Sequence, residues 1–136
     1  MFHVRASHNF EWLGKRLGHF HFSSAAKAIE AVDERTGRIV GMIGYDGLTQ
    51  NSAQVHIALD APMAWRALSR PAFKYPFEEL DRGVLIAMVS SQNWRSLCLT
   101  RHVGFFEKHR IRDGIAKGVD MVLFEMRREE CRWLEG

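Results

Sequence analysis

Cysteine is scarce in this 136-residue chain, which has only Cys98 and Cys131. Two cysteines at that separation form no disulfide framework and match no metal-ligand spacing, so reduced, buried or half-buried thiols are expected. Proline is almost as rare, with three residues, and 46% of the chain is hydrophobic. That balance excludes a disordered chain and leaves enough apolar material for a proper core. No apolar run approaches the roughly 20 residues a membrane span needs. The opening residues Met1–Trp12 lack the apolar centre of a secretory signal. A cytoplasmic location with no membrane partner is therefore expected. Charge of one sign is missing too: 19 basic against 16 acidic residues leave a formal charge of +3. So mild an excess does not call for a nucleic-acid partner. With no repeat, linker or low-complexity segment, one domain over residues 1–136 is expected.

Periodicity places the elements. Phe2–Ala6 reads as a short strand. Phe10, Leu13 and Leu17 fall at helical spacing, which predicts a helix over His8–Leu17 with Gly18 as its stop. His19-Phe20-His21-Phe22 alternates like a strand, and histidines two apart share a face there. No third ligand is near them, so no metal is expected. Ala26–Asp33 and Arg38–Tyr45 flank the turn residues Glu34–Gly37 and form a hairpin. Gly41 and Gly44 mark a bulge or a close approach of backbone. Ala53–Leu59 adds a third antiparallel strand, and a helix follows over Ala64–Leu80, with Pro71 and Pro76 inside it to kink or divide it.

Gly83–Ser90 is a near-continuous apolar run. A strand reached by a helical crossover runs parallel to its predecessor. Asn93–His102 is a short helix closed by Gly104. Phe105–Arg110 and Val119–Arg127 are strands, with a turn over Asp113–Gly118 before the second. Cys131–Leu134 ends the chain on apolar groups that pack back on the body. This order predicts an α+β fold: a mixed, mostly antiparallel twisted sheet of about six to seven strands with three to four helices.

The junction from strand Ala53–Leu59 into the following helix organises the rest. A helix that begins at a strand's end aims its free N–H groups at one spot, and its dipole is positive there. Pro62 suits the first turn, and Asp60 is the candidate N-cap. Such a spot binds anions, or else it is an ordinary strand-turn-helix. Arg66, Arg70 and Lys74, then Arg95, Arg101, Lys108, Arg110 and Arg112, flank it in sequence. They form either a cradle for a phosphorylated ligand or a solvated basic surface.

Certain residues carry a family resemblance: the hairpin Ala28–Asp46, the helix end Tyr75–Leu80, and above all Asn93-x-x-Ser96 followed by Val103-Gly104-Phe105. Over roughly Ala26–Leu134 the chain resembles the GNAT superfamily of acyl-CoA-dependent N-acyltransferases. Arg112-Asp113-Gly114 with Gly118–Glu130 resembles the ribosomal-protein-acetyltransferase-like branch. Glu130–Leu134 resembles small phage- or prophage-encoded members. The resemblance implies acetyl-CoA as co-substrate, held in a V-shaped splay between strands Ala53–Leu59 and Gly83–Ser90. It implies Ile57, Ala58 and Leu59 on the pantetheine arm, and the amides of Met63, Ala64, Trp65, Arg66 and Ala67 on the pyrophosphate. It places Asn93 and Ser96 beside the cofactor and favours Arg95 for its phosphates. It implies a shortened N-terminal part that leaves the acceptor side open. That opening suits a bulky amine on a protein as well as a small molecule, and a second copy in a homodimer could equally complete it.

Two departures from the family pattern stand out. The family's Gln/Arg-x-x-Gly-x-Gly/Ala loop is here Ala61-Pro62-Met63-Ala64-Trp65-Arg66, without the glycines that let phosphate approach backbone. The family's tyrosine acid is here Thr100, and a glutamate found on the fifth strand is here Met88. Acetyl transfer to an amine needs a proton acceptor, a polarised carbonyl and a stabilised thiolate. His56 is the candidate base, its ordinary pKa near 6.5 suiting the task, unless it is a half-buried strand histidine. Tyr75 is a candidate acid or a packing residue. Ser96 could bond the thiol or its own backbone. Cys98 has no activating partners and is not expected to be a nucleophile. The loop and the missing tyrosine also allow a catalytically weak GNAT-fold binding protein.

Overall fold

The computed structural model describes residues 1–17 and 22–134. The Gly18 stop and the His19–His21 pair, with the metal reading attached to it, lie outside the described residues. The strands are β1 Phe2–Ala6, β2 Lys27–Asp33, β3 Ile39–Asp46, β4 Ser52–Leu59, β5 Val84–Ser90, β6 Phe106–Ala116 and β7 Val119–Arg127. The helices are α1 Phe10–Leu17, α2 Ala64–Lys74 and α3 Trp94–Val103. The strands form one seven-stranded sheet in the order β1-β2-β3-β4-β5-β7-β6. Every neighbouring pair is antiparallel except β4 and β5, which the α2 crossover makes parallel. The expected α+β fold with a mixed sheet is the observed one.

The two faces of the sheet are packed differently. Ala53, Val55, Leu85, Ala87, Val89, Val122, Phe124 and Met126 point to the face that α2 and α3 cover, in one buried core with Leu68, Phe73, Phe77, Leu97 and Val103. The other face carries a smaller cluster in which Leu13 of α1 rests on Ala28 and Met42, with Phe22 and Ala58 beside it. Both interior glycines of β3 are contact points, one on each face. A Cβ on Gly41 would come within 2.9 Å of Leu68 Cδ1, and one on Gly44 within 2.6 Å of Leu13 Cδ2. The expected close approach is therefore real, and the β2–β3 register also slips beside Gly41, between Ala31 and Val32.

The prolines divide the long helix, as expected. α2 ends at Lys74 and gives way to a π turn over Tyr75–Glu79. The Leu80 amide bonds the Tyr75 carbonyl, and the Arg82 amide reaches the Pro76 carbonyl. Pro76 has no N–H, so the Ala72 carbonyl loses its helical partner. Tyr45, wholly buried beneath the helix, supplies a replacement through its hydroxyl, 2.6 Å from that oxygen. Burial holds the Tyr45 hydroxyl well above its ordinary pKa, so it stays a donor.

Two expectations need correction. The strand read as Phe105–Arg110 runs on to Ala116, across the residues read as a turn, and only Lys117-Gly118 turns. Gly118 takes the positive φ of +82° there. The Asp113-Gly114 pair signalled a turn by composition, but the strand absorbs it in an irregular stretch between Ile111 and Ala116. Asp60 does not cap α2, because its carboxylate is forked by Arg16 of α1, at 2.7 and 2.8 Å. Met63 occupies the cap position and gives no side-chain bond. The terminal residues do fold back: Trp133 Nε1 donates to the Val103 carbonyl at 2.7 Å, and Cys131 is buried.

Replacing Tyr45 by phenylalanine should strand the buried Ala72 carbonyl. The expected loss is about 1–3 kcal/mol of unfolding free energy in urea titrations. A loss under about 0.5 kcal/mol would mean that the π turn satisfies its own carbonyls.

Candidate functional site

β4 and β5 pair only at Ser52–Val84, Ala53–Leu85 and Gln54–Ile86. Beyond that point Val55–Leu59 keeps its β3 partners and Ala87–Ser90 keeps its β7 partners, while the two strands part from each other. The phase of the backbone in this gap follows from two bonds. The Asp60 amide donates to Val40 of β3, and the Asn51 carbonyl accepts from Val84 of β5. Alternation along an antiparallel strand then directs the N–H and C=O groups of Gln54, His56 and Ala58 to β3, and those of Val55, Ile57 and Leu59 into the gap. A row of unsatisfied backbone groups inside a cleft is a template for an extended amide-bearing chain. Of the expected pantetheine residues, Ile57 and Leu59 face the gap. Ala58 turns its backbone to β3, and Val55, which the sequence reading missed, joins the row.

The wide end of the gap lies between two helix N-termini, because both parallel strands run directly into helices. Two positive dipole ends at one place favour an anion. The amides are less free than expected, however. Those of Ala64, Trp65 and Arg66 donate to the carbonyls of Ala61, Pro62 and Met63, the last two at 3.2 Å. The Met63 amide takes no part in these turn bonds. At α3, Asn93 is the N-cap: its Oδ1 accepts the Ser96 amide at 3.1 Å and its carbonyl accepts the Leu97 amide. Asn93-x-x-Ser96 is thus also a capping motif, a reading its spacing allowed. Thr100 bonds its hydroxyl back to the Ser96 carbonyl at 2.6 Å.

The side chains sort as follows. Ala64 is fully buried over Gly41, so α2 starts hard against the sheet. Trp65 turns its ring into the core rim, edge-on to Trp133 and Phe73 at 5.5 and 6.1 Å, and Ala67 is half-buried. Trp94 and Met63 stay exposed, one on each helix beside the gap. Among the described residues Arg66, Arg70 and Arg95 enter no ion pair. Arg101, by contrast, is bound to Glu107 at 2.9 Å.

His56, Tyr75 and Ser96 do not converge. His56 points to the α1 face, edge-on to Phe22 at 5.4 Å. Tyr75 packs on Tyr45 at the far end of α2, on the opposite face, where burial and then Glu79 raise its pKa. Ser96 lies in the first turn of α3. His56 is buried, which lowers its pKa to about 4 against the opposing pull of Asp46. Burial alone would raise the Asp46 carboxyl. The Ser23 hydroxyl and amide, at 2.5 and 2.8 Å, and the Gly47 amide outweigh it and hold that carboxyl below its ordinary value. His56 is therefore a neutral imidazole at neutral pH, a proton acceptor weaker than its ordinary value promised.

No protein-family model matches the chain, and no curated protein does. Solved structures do match. The mutant spermidine/spermine N-acetyltransferase SpeG of Vibrio cholerae is 13% identical with a TM-score of 0.77, over 95% of this chain and 96% of that one. The Campylobacter jejuni N-acetyltransferase PseH, also solved with acetyl coenzyme A, is 19% identical with a TM-score of 0.62, over 78% of this chain and 70% of that one. The ribosomal-protein-S5-alanine acetyltransferase of Vibrio fischeri is 18% identical with a TM-score of 0.65, over 79% and 63%. These likenesses establish the fold: a mixed sheet of the GNAT N-acetyltransferase type. Among the described residues no helix is long and apolar enough to cross a membrane.

The His56 shift has a stability consequence with a definite sign. The folded value of about 4 lies below the unfolded value near 6.5. Between them the unfolded chain takes up a proton that the folded chain refuses, so stability is full above pH 6.5 and falls as pH drops toward 4. A displacement of that size is worth about 3 kcal/mol. NMR titration should place the imidazole below pH 5, and His56→Asn should flatten the stability profile across that window. A titration near 6.5 would show the ring to be solvated.

Proposed function

We propose that this GNAT-fold chain is an acetyl-CoA-dependent N-acetyltransferase acting on a primary amine of a protein or small molecule. Residues 1–136 act in it as one domain. The observation that carries the reading is the parting of β4 and β5, with the backbone of Val55, Ile57 and Leu59 facing the gap. The amide-containing pantetheine arm fits there as an added strand, and the pyrophosphate fits between the N-termini of α2 and α3. Arg66, Arg70 and Arg95 supply charge from exposed positions. The turn bonds at Trp65 and Arg66 lie at 3.2 Å, the long end of the ordinary range, and in this reading phosphate contacts replace them.

Transfer is direct. The amine gives up a proton, and its nitrogen lone pair forms the C–N bond on the thioester carbonyl. The C–S bond breaks with its electrons on sulfur, and the thiolate takes a proton to leave as free CoA thiol. Holding the two reactants together supplies much of the rate, up to about 7–11 kcal/mol. His56 is the chain's own proton acceptor beside the gap, neutral and buried, and Ser96 can bond the thiol from α3. Tyr75, across the sheet, is assigned packing.

A second reading has its own support. The first-turn amides of α2 are engaged, and Thr100 spends its hydroxyl on a backbone carbonyl. Both fit a GNAT-fold protein that binds a partner and turns over weakly.

Titration calorimetry with acetyl-CoA and a thiol-release assay separate the two. Leu59→Pro deletes a gap-facing N–H without touching the β3 ladder. Together with Arg66→Glu it should weaken acetyl-CoA binding at least tenfold, about 1.4 kcal/mol, with the melting temperature of a folded variant as control. Binding without turnover on any amine favours the second reading, and absence of acetyl-CoA binding rejects the enzyme.

A further inference from the structure

The gap between β4 and β5 opens on two faces of the sheet, and they differ. On the α2 and α3 face it is backed by the main core. On the α1 face it is rimmed by His56 and Ala58 on one side and by Met88 and Ser90 on the other, as the strand registers require. α1 covers only the β2–β4 half of this face. The same registers continue across β7 and β6 as three rows: Ile86 with Glu125 and Phe106, Met88 with Leu123 and His109, and Ser90 with Met121 and Ile111. Phe106 and Ile111 are 52% and 42% exposed, and Ile86, Met88, Met121 and Leu123 are half-exposed. A mostly apolar floor, broken by Glu125 in one row and ending on His109 in another, thus runs from the rim of the gap to the sheet's edge.

The carboxylates on this face are already engaged. Glu30 is bound to Arg5 at 2.7 Å and Asp60 to Arg16 at 2.7 Å. Asp46 is held by Ser23 and Gly47, and Glu125 lies 3.2 Å from Arg127. A polycationic acceptor would need unpaired carboxylates spaced along its path. These four are all engaged, Glu30, Asp60 and Glu125 by guanidinium groups and Asp46 by Ser23 and Gly47.

We propose, on the basis of the acetyl-transfer reading, that the acceptor is a primary amine borne on an apolar group, which lies on the floor of Met88, Leu123, Met121, Ile86, Phe106 and Ile111. The likeness to spermidine enzymes therefore does not extend to their acceptor. The amine reaches the thioester over Met88 while its apolar part leaves water for the floor. The chemistry is shared by the N-terminus of a chain that begins with apolar residues and by a small arylalkylamine.

Thiol release at saturating acetyl-CoA, with products confirmed by mass, compares spermidine, a peptide beginning Met-Leu, and phenethylamine. The expected kcat/KM for an apolar amine is at least tenfold that for spermidine. The peptide and phenethylamine arms tell the two sources apart. Leu123→Glu should cut that preference at least tenfold with acetyl-CoA affinity unchanged by calorimetry. Preference for spermidine, or an unaltered ratio in Leu123→Glu, overturns the proposal while leaving acetyl transfer intact. Methyl NMR of the CoA-bound protein reads acceptor binding without turnover. Shifts at Met88 and Met121 with phenethylamine but not spermidine uphold the proposal even if transfer fails, and absence of shifts with phenethylamine overturns it.

Discussion

Three residue pairs between β4 and β5 are the seam on which the molecule depends. They join an antiparallel half, β1 to β4, to a second antiparallel half, β5 with β7 and β6. A longer ladder would close the sheet and leave no cleft, and no ladder would leave two halves with separate cores. What allows so short a seam is the layer above it. α2 and α3 contribute to one buried core with side chains from both halves, so burial of apolar surface carries the load that backbone pairing gives up. The two halves thereby share one core while the gap between their strands stays open.

The same layer explains why α2 is irregular. It starts against the sheet at Ala64, over a glycine, and must return the chain to the foot of β5. Pro76 ends regular α-helical bonding just where that return begins, and the π turn absorbs the change. The freed Ala72 carbonyl is met from below by Tyr45. A tyrosine in the core thus acts on the path of a helix, through one hydrogen bond that costs little when made and much when lost.

Much of this was legible in the residues. The apolar run at Val84–Ser90, the alternation at Val119–Arg127 and the turn at Glu34–Gly37 declare themselves by period and composition. So does the division of the long helix, since proline removes a specific bond. Gly104, at φ +115°, closes α3 where the sequence put it. Other features depend on tertiary partners. Asp60 has good N-cap chemistry, but Arg16, distant in sequence, binds its carboxylate more strongly than a backbone amide would. Asp113-Gly114 has turn chemistry, but pairing with β7 keeps the strand going. The parity that points Val55, Ile57 and Leu59 into the gap cannot be read before the β3 register is known. His56 was legible as a half-buried strand histidine, but its near-complete burial was not, since Phe22 packs on it from another part of the chain.

That parity also accounts for a chain whose fold has many solved counterparts while its sequence matches no family model. A gap lined by main-chain N–H and C=O groups, with helix N-termini at its wide end, asks of its side chains only that the strands part and the helices pack. The fold itself persists at 13–19% identity. The α1 face of β5, β7 and β6, by contrast, presents side chains. The side chains on that face can therefore change without disturbing the seam. The two mouths of one gap are under different constraints: one set by geometry that any compatible sequence provides, the other by the identity of a few half-exposed residues.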